Sequence, residues 1–203
     1  MYDANGYSLA GLARNSGAEV TFLGIVRDRH EELVRMLEAA RDFHVLLLSG
    51  GISVGDYDLV QEALLRTDIR KVFWKVKIQP GKPLFLGTRR RQLLFALPGY
   101  PVSAMVSFLL FVRPVLDKMT GRDRVGLRKG DAVVLEGRRV KPGRRKFLRA
   151  RLEWTDVNPG VRVLRDQHSG VLRSMVEAEV LVEVPEDVDY LRRGDMVKIH
   201  YLE

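Results

Sequence analysis

An apolar run that breaks into a glycine-rich and then acidic turn constrains this chain more than any other feature: Leu46-Leu47-Leu48-Ser49-Gly50-Gly51-Ile52-Ser53-Val54-Gly55-Asp56-Tyr57-Asp58. An apolar run of strand length predicts a strand buried on both faces. Three glycines just past its end let backbone N–H groups converge where side chains would block approach. The helix predicted from about Tyr57 to Leu65 aims its N-terminus at the same spot, which favours an anion there. Asp56 and Asp58 admit two roles. Either could cap the helix, or the pair could hold a hard cation such as Mg²⁺ against phosphate oxygens. The turn is neither a Gly-Lys-Ser/Thr phosphate loop nor Gly-x-Gly-x-x-Gly.

Up to Gly121 helical and strand periodicities alternate. Ser8 to Ser16 and Glu31 to Arg41 read as helices, Glu19 to Ile25 and His44 to Leu48 as strands. After helix 57–65 come strands near 71–78, 84–87 and 92–96, then a helix from about 102 to 118. Such alternation predicts an α/β domain over residues 1–121, a three-layer, mostly parallel sheet with helices on both faces. Residues 122–203 read differently. Ala132–Leu135, Phe147–Leu152, Val161–Leu164, Ala178–Val184 and Met196–Tyr201 are short strand-like runs punctuated by Gly, Pro, Asn and Asp, predicting a small all-β barrel or sandwich.

The formal charge of +8 is not segregated: residues 1–121 carry 16 basic and 12 acidic side chains, residues 122–203 carry 18 and 14. Basic clusters at Arg89-Arg90-Arg91 and from Arg138 to Arg151 lack any helix-turn-helix, zinc-finger or aromatic stacking signature. A small polyanion is therefore favoured over nucleic acid. Cysteine is absent and the four histidines have no zinc-site spacing, so any metal is expected to be a hard ion on oxygen ligands. No stretch is apolar and long enough to span a bilayer, and the N-terminus has no signal pattern. A cytoplasmic protein without membrane contact is expected.

Two further turns carry chemistry. In Trp74-Lys75-Val76-Lys77-Ile78-Gln79-Pro80-Gly81-Lys82-Pro83, strand alternation predicts Lys75, Lys77 and Gln79 on one face, with Lys82 fixed between two prolines as a charge awaiting an oxyanion. In Ala96-Leu97-Pro98-Gly99-Tyr100-Pro101-Val102-Ser103-Ala104, Pro101 suits the first helical position and Ser103 the first turn, so free N–H groups are expected to point outward. Both glycine turns fall at strand carboxyl ends, where open α/β sheets collect ligands. Asp28-Arg29-His30-Glu31 has capping-box spacing ahead of the amphipathic helix.

Together these motifs resemble the molybdopterin molybdenumtransferases, the MoeA and gephyrin E-domain family. The resemblance rests on Tyr2-Asp3-Ala4-Asn5, Leu23 to Asp28, Ser49 to Asp58, Pro80-Gly81-Lys82-Pro83 and Leu97 to Ala104, in that order and spacing. It continues more weakly through Pro142-Gly143-Arg144-Arg145-Lys146-Phe147-Leu148-Arg149 and Gln167 to Ser174. The resemblance implies a molybdopterin-binding α/β domain followed by a β-barrel domain. It also implies a Mg²⁺-dependent cleavage of adenylylated molybdopterin that inserts molybdate and releases AMP.

By the same resemblance Asp28, Asp58, Lys75 and Lys82 are the catalytic positions, and Asp58 and Asp28 hold the metal. Gly50, Gly51, Ser53, Gly55, Pro98, Gly99, Pro101 and Ser103 seat the pterin and its phosphate, with Arg144 and Ser169 closing the anion site from the second domain. Family members carry two further domains ahead of Tyr2 that support homodimerisation and contribute to the partner's active site. Gln79, Tyr100 and Lys146 depart from the family's basic, asparagine and acidic residues. A pterin- or nucleotide-binding module without catalysis, or an interaction scaffold, is the alternative. A sibling that adenylylates molybdopterin is disfavoured by the β domain. Replacing Asp58 by Asn is expected to abolish Mg²⁺-dependent turnover and leave the fold intact; unchanged turnover in a full-length context would remove its metal role.

Overall fold

The computed structural model describes residues 3–27, 29–51, 62–64, 66–154 and 159–202. Helix α1 (Ala4–Asn15) starts where the Asp3 carboxylate accepts the Gly6 N–H at 2.9 Å, satisfying one of the free donors of its first turn. Residues 18–27 carry no regular structure, a correction to the strand expected over Glu19 to Ile25. Val20 and Val26 pack against separate core clusters, whereas Phe22, stacked on Tyr7, and Ile25 stay exposed. Helix α2 (His30–Ala39) buries Leu33 and Leu37, the stripe its periodicity predicts.

Strands β1 (Val45–Ser49), β2 (Arg70–Trp74), β4 (Phe85–Arg89) and β5 (Gln92–Leu97) form one sheet, in the order β1-β5-β4-β2. Only β1 and β5 run parallel; β5 with β4 and β4 with β2 are antiparallel. The sheet among the described residues is thus mixed, not mostly parallel. The reason is loop length, because a parallel crossover needs a dozen or more residues. Arg90 and Arg91 alone join β4 to β5, with Arg90 at φ +50°. Alternation along β5 feeds both faces: Leu94 and Ala96 meet α2, while Phe95 and Leu97 meet α1 and the following helices.

Those helices are α3 (Pro101–Ser107), a π turn (Phe108–Val112) and α4 (Arg113–Met119). Pro114 has no N–H to give to the preceding turn, and the wider π hydrogen-bonding just before it accommodates that loss. Beyond Gly121, strands β6 (Lys129–Val134), β8 (Arg145–Trp154), β9 (Pro159–Val163), β10 (Val180–Val184) and β12 (Met196–Tyr201) close a five-stranded barrel in the order β10-β12-β6-β9-β8, with β8 returning to β10. A small pair, β7 (Arg138–Arg139) and β11 (Tyr190–Leu191), and a short helix α5 (Arg173–Glu177) flank it. Leu148, Ala150, Val161, Val182 and Ile199 fill its interior.

The strand expected over 71–78 is divided between two sheets. Lys75 sits at φ +69° and ends β2; the chain resumes as β3 (Ile78–Gln79), which pairs in parallel with Arg145 and Lys146 of the barrel. Phe147, Met175 and Leu181 from the barrel side pack into the same cluster as Ile78, Leu97 and Val102. Phe147 is therefore the anchor between the two halves, and Phe147→Ala is expected to cost about 3–5 kcal/mol. A urea-denaturation midpoint equal to the parent's would show that this contact carries no stability.

Candidate functional site

The site is built where the carboxyl ends of β1 and β5 meet the barrel. At the first turn Gly50 (φ +86°) donates its N–H to the Leu97 carbonyl at 3.2 Å. A Cβ on Gly99 would lie 3.5 Å from the Gly50 Cα, so the two glycine turns stand backbone against backbone. Asn5 fastens them: its Nδ2 donates to Ser49 Oγ at 2.7 Å and to the Gly99 carbonyl at 2.9 Å. Its Oδ1 is buried without a partner among the described residues. Gly51 (φ +68°) continues the first turn, and Pro98 is buried beneath the second. Ser53, Gly55, Asp28 and Asp58 lie outside the described residues. The α2 N-cap falls at Arg29, one residue later than the capping-box spacing predicts.

The second part is a cleft of about 320 Å³ between the two halves, within the size range of small-ligand sites. Pro80, Gly81, Lys82 and Pro83 form one wall and Ser103 of α3 another, while Arg144, Arg149 and Ser169 close it from the barrel side. Residues more than eighty positions apart in sequence thus converge. Gln79, Gln167 and His168 also line it, and among the described residues no carboxylate does. Lys82 is exposed at the tip of a loop held at its base by Lys75 N–H to Leu84 O (2.8 Å) and Val76 N–H to Lys82 O (3.0 Å).

Not every expected residue arrives there. Lys75 stays outside the cleft, exposed, with its ammonium 5.5 Å from the Trp74 ring centroid, because its left-handed backbone ends the strand that would have aligned it with Gln79. Lys77 pairs with Glu186 of the barrel half. Pro101 opens α3 as expected, but the Val102 N–H is spent on the Ser169 carbonyl at 3.0 Å, so that helix end clasps the barrel and does not offer this donor to a ligand. Tyr100 meets His168 edge-on at 6.3 Å across the same boundary.

Arg149 has no role in the sequence reading and is the most buried cation of the cleft, 1% exposed. Its Nε donates to Ser174 Oγ at 3.2 Å, and an Nη reaches the His168 carbonyl at 3.4 Å. Gln167 braces its backbone, accepting from the Arg149 N–H at 3.0 Å and donating to its carbonyl at 2.9 Å. Burial, aided by Arg138 and opposed by Asp166, pushes the guanidinium down to about 10, so it remains charged at neutral pH. The signal for it was strand parity: Arg149 shares the face of Phe147, which turns toward the first half, while Leu148 and Ala150 turn into the barrel.

Three cations and two hydroxyls around a cleft that no described carboxylate lines make a receptor for a compact oxyanion, and the glycine turns leave backbone exposed to a larger ligand. Among the described residues no group of three or more His, Asp or Glu side chains could hold a metal.

Comparison with known proteins agrees with this layout. Residues 1–118 match the family described as "Probable molybdopterin binding domain", and residues 131–202 match "MoeA C-terminal region (domain IV)". Molybdopterin molybdenumtransferase 2 of Mycobacterium tuberculosis is 31% identical over 208 residues, covering 98% of this chain and 50% of that protein. Gephyrin of Dictyostelium discoideum is 29% identical, covering 88% and 28%. Two crystal structures of the MoeA protein of Pyrococcus horikoshii superpose with TM-scores of 0.81 and 0.76 at 31% and 26% identity, covering 100% and 99% of this chain and 49% and 46% of theirs. The chain thus spans about half the length of these molybdenumtransferase and MoeA relatives.

Gly81 sets the position of Lys82. Its φ is +105°, and a Cβ there would stand 2.5 Å from the buried Ser107 Oγ. Gly81→Ala is expected to cost about 1–3 kcal/mol and to displace the loop. Thermal unfolding checks this, with Ser107→Ala in the same chain restoring the part due to the clash; no loss from Gly81→Ala would disprove the constraint.

Proposed function

The chain belongs to the MoeA and gephyrin family of molybdopterin molybdenumtransferases, and from that membership and its cleft we propose that it acts in molybdenum cofactor biosynthesis by inserting molybdate into adenylylated molybdopterin. Water cleaves the phosphoanhydride bond and AMP leaves, while molybdate forms two Mo–S bonds to the dithiolene and one of its oxo groups departs with the two thiol protons as water. The observation that carries the reading is the convergence of Lys82, Ser103, Arg144, Arg149 and Ser169 from both halves on one cleft that no described carboxylate lines.

In this reading the two turns at Gly50, Gly51, Pro98 and Gly99 seat the pterin and its phosphate, fastened by Asn5. Lys82, Arg144 and Arg149 neutralise the oxyanion, and the hydroxyls of Ser103 and Ser169 donate to its oxygens. Asp58 and Asp28 would hold Mg²⁺, which would supply charge neutralisation at the pyrophosphate. Lys75, outside the cleft, would meet the more extended parts of the substrate. The partners are molybdate and adenylylated molybdopterin, with a homodimer in the longer family members. Neither nucleic acid nor membrane is proposed: basic residues are spread over both halves, and no described helix is long and apolar enough to cross a bilayer. The compartment proposed is the cytoplasm.

One observation favours a second reading, a pterin-binding module without turnover: Gln79, which lines the cleft, brings no charge to it. AMP release from adenylylated molybdopterin, with Mg²⁺ and molybdate and this chain alone, separates the two. Release is expected from the parent, and Lys82→Ala is expected to raise the half-saturating molybdate concentration about tenfold or more, the scale of one charge-assisted hydrogen bond. Equal molybdate dependence would refute the role of Lys82; pterin binding without release would establish the module.

A further inference from the structure

Lys146 is 5% exposed, yet among the described residues it meets no carboxylate. A buried cation left without a counter-charge is costly, and an apolar side chain of similar length would pack at its place without that cost. Strand parity places it with Leu148 and Ala150 at the end of the barrel interior, and it does not line the cleft. Its ammonium instead donates to two backbone carbonyls, those of Lys141 and of Arg144, the latter at 3.2 Å. These two oxygens bracket the turn through Gly143 (φ +109°), the turn that presents Arg144 to the cleft. The backbone of Lys146 is also the register partner of Gln79, another lining residue. Burial first, then the charges of Arg144 and Lys141, hold the Lys146 ammonium below the ordinary lysine range, so the contact is kept against opposing forces.

We propose that Lys146 is a positioning residue for oxyanion binding: its buried ammonium ties together the carbonyls of Lys141 and Arg144 and thereby fixes the guanidinium of Arg144 in the cleft. This rests on the cleft being an oxyanion site. Lys146 does not touch the anion, and its influence passes through Arg144 alone.

The test is calorimetric titration of molybdate into the 203-residue chain and its variants. Lys146→Met, which keeps the length of the side chain and removes the donor, is expected to weaken molybdate binding about tenfold. The loss should vanish in an Arg144→Ala background and persist in full in a Lys82→Ala background, because only the first removes the group being positioned. A general structural role would give the same loss in both. Should Lys146→Met fail to fold by circular dichroism, Lys146→Gln, which retains a donor for one carbonyl, carries the same cycle. Equal losses in the two backgrounds, or no loss from either Lys146 variant in a parent that binds, would overturn the inference and leave the oxyanion reading standing. A parent chain that binds no molybdate would overturn both.

Discussion

Everything at the cleft depends on one short ladder: Ile78 and Gln79, which leave the first sheet at Lys75 and pair in parallel with Arg145 and Lys146. Without it, the loop that carries Lys82 would have no backbone pairing to the strand that follows Arg144. With it, the Pro80–Pro83 loop begins from a strand of the barrel, and its cation stands opposite those of β8 and the loop before it. The apolar contact of Phe147 with the first half's cluster holds the same junction from behind. Two residues of strand would be marginal alone, and the packed interface makes them sufficient.

The two ends of the mixed sheet handle buried cations in opposite ways. At the end away from the cleft, Arg89 is 4% exposed and meets the carboxylates of Glu38 at 3.2 Å and Asp68 at 3.5 Å, so its charge is cancelled locally. At the other end, Arg149, which lines the cleft, and Lys146, which does not, are held by carbonyls and, for Arg149, a hydroxyl. Carbonyl dipoles stabilise a cation without removing its net charge, so the positive potential of the cleft is preserved for a ligand. A carboxylate in the same place would give a stronger contact and a weaker anion site.

Much of this was legible in the sequence. Helices over 4–15, 30–39 and 101–119 and the five barrel strands follow apolar periodicity, which burial of one face enforces. The expected parallel sheet failed because strand direction is decided by connection length, and the two-residue Arg90-Arg91 turn permits only an antiparallel pair. The strand over 71–78 failed at Lys75, since a positive φ at a lysine leaves no compositional trace. Motif matching named Lys82, Ser103, Arg144 and Ser169, which do meet. It included Arg149 and Lys146 in a matched motif but gave neither a role, because their roles depend on which face of β8 turns to the first half and which to the barrel, a register that pairing settles and spacing does not.

The segment Pro98 to Ser103 couples the two parts of the site more tightly than either glycine turn does alone. The Pro98 carbonyl accepts from Ser49 Oγ at 3.4 Å and the Gly99 carbonyl from Asn5, which ties it to the first sheet's turn. Val102 gives its N–H to the Ser169 carbonyl, which ties it to the barrel, and Ser103 lines the cleft. Proline at 98 and 101 restricts the backbone between these two anchorages, and Gly99 permits the close approach to Gly50 that a side chain would obstruct. A ligand seated on the turns and an oxyanion seated in the cleft would therefore share a short, stiff stretch of chain, and the distance between them is set by covalent geometry more than by the packing of the two halves.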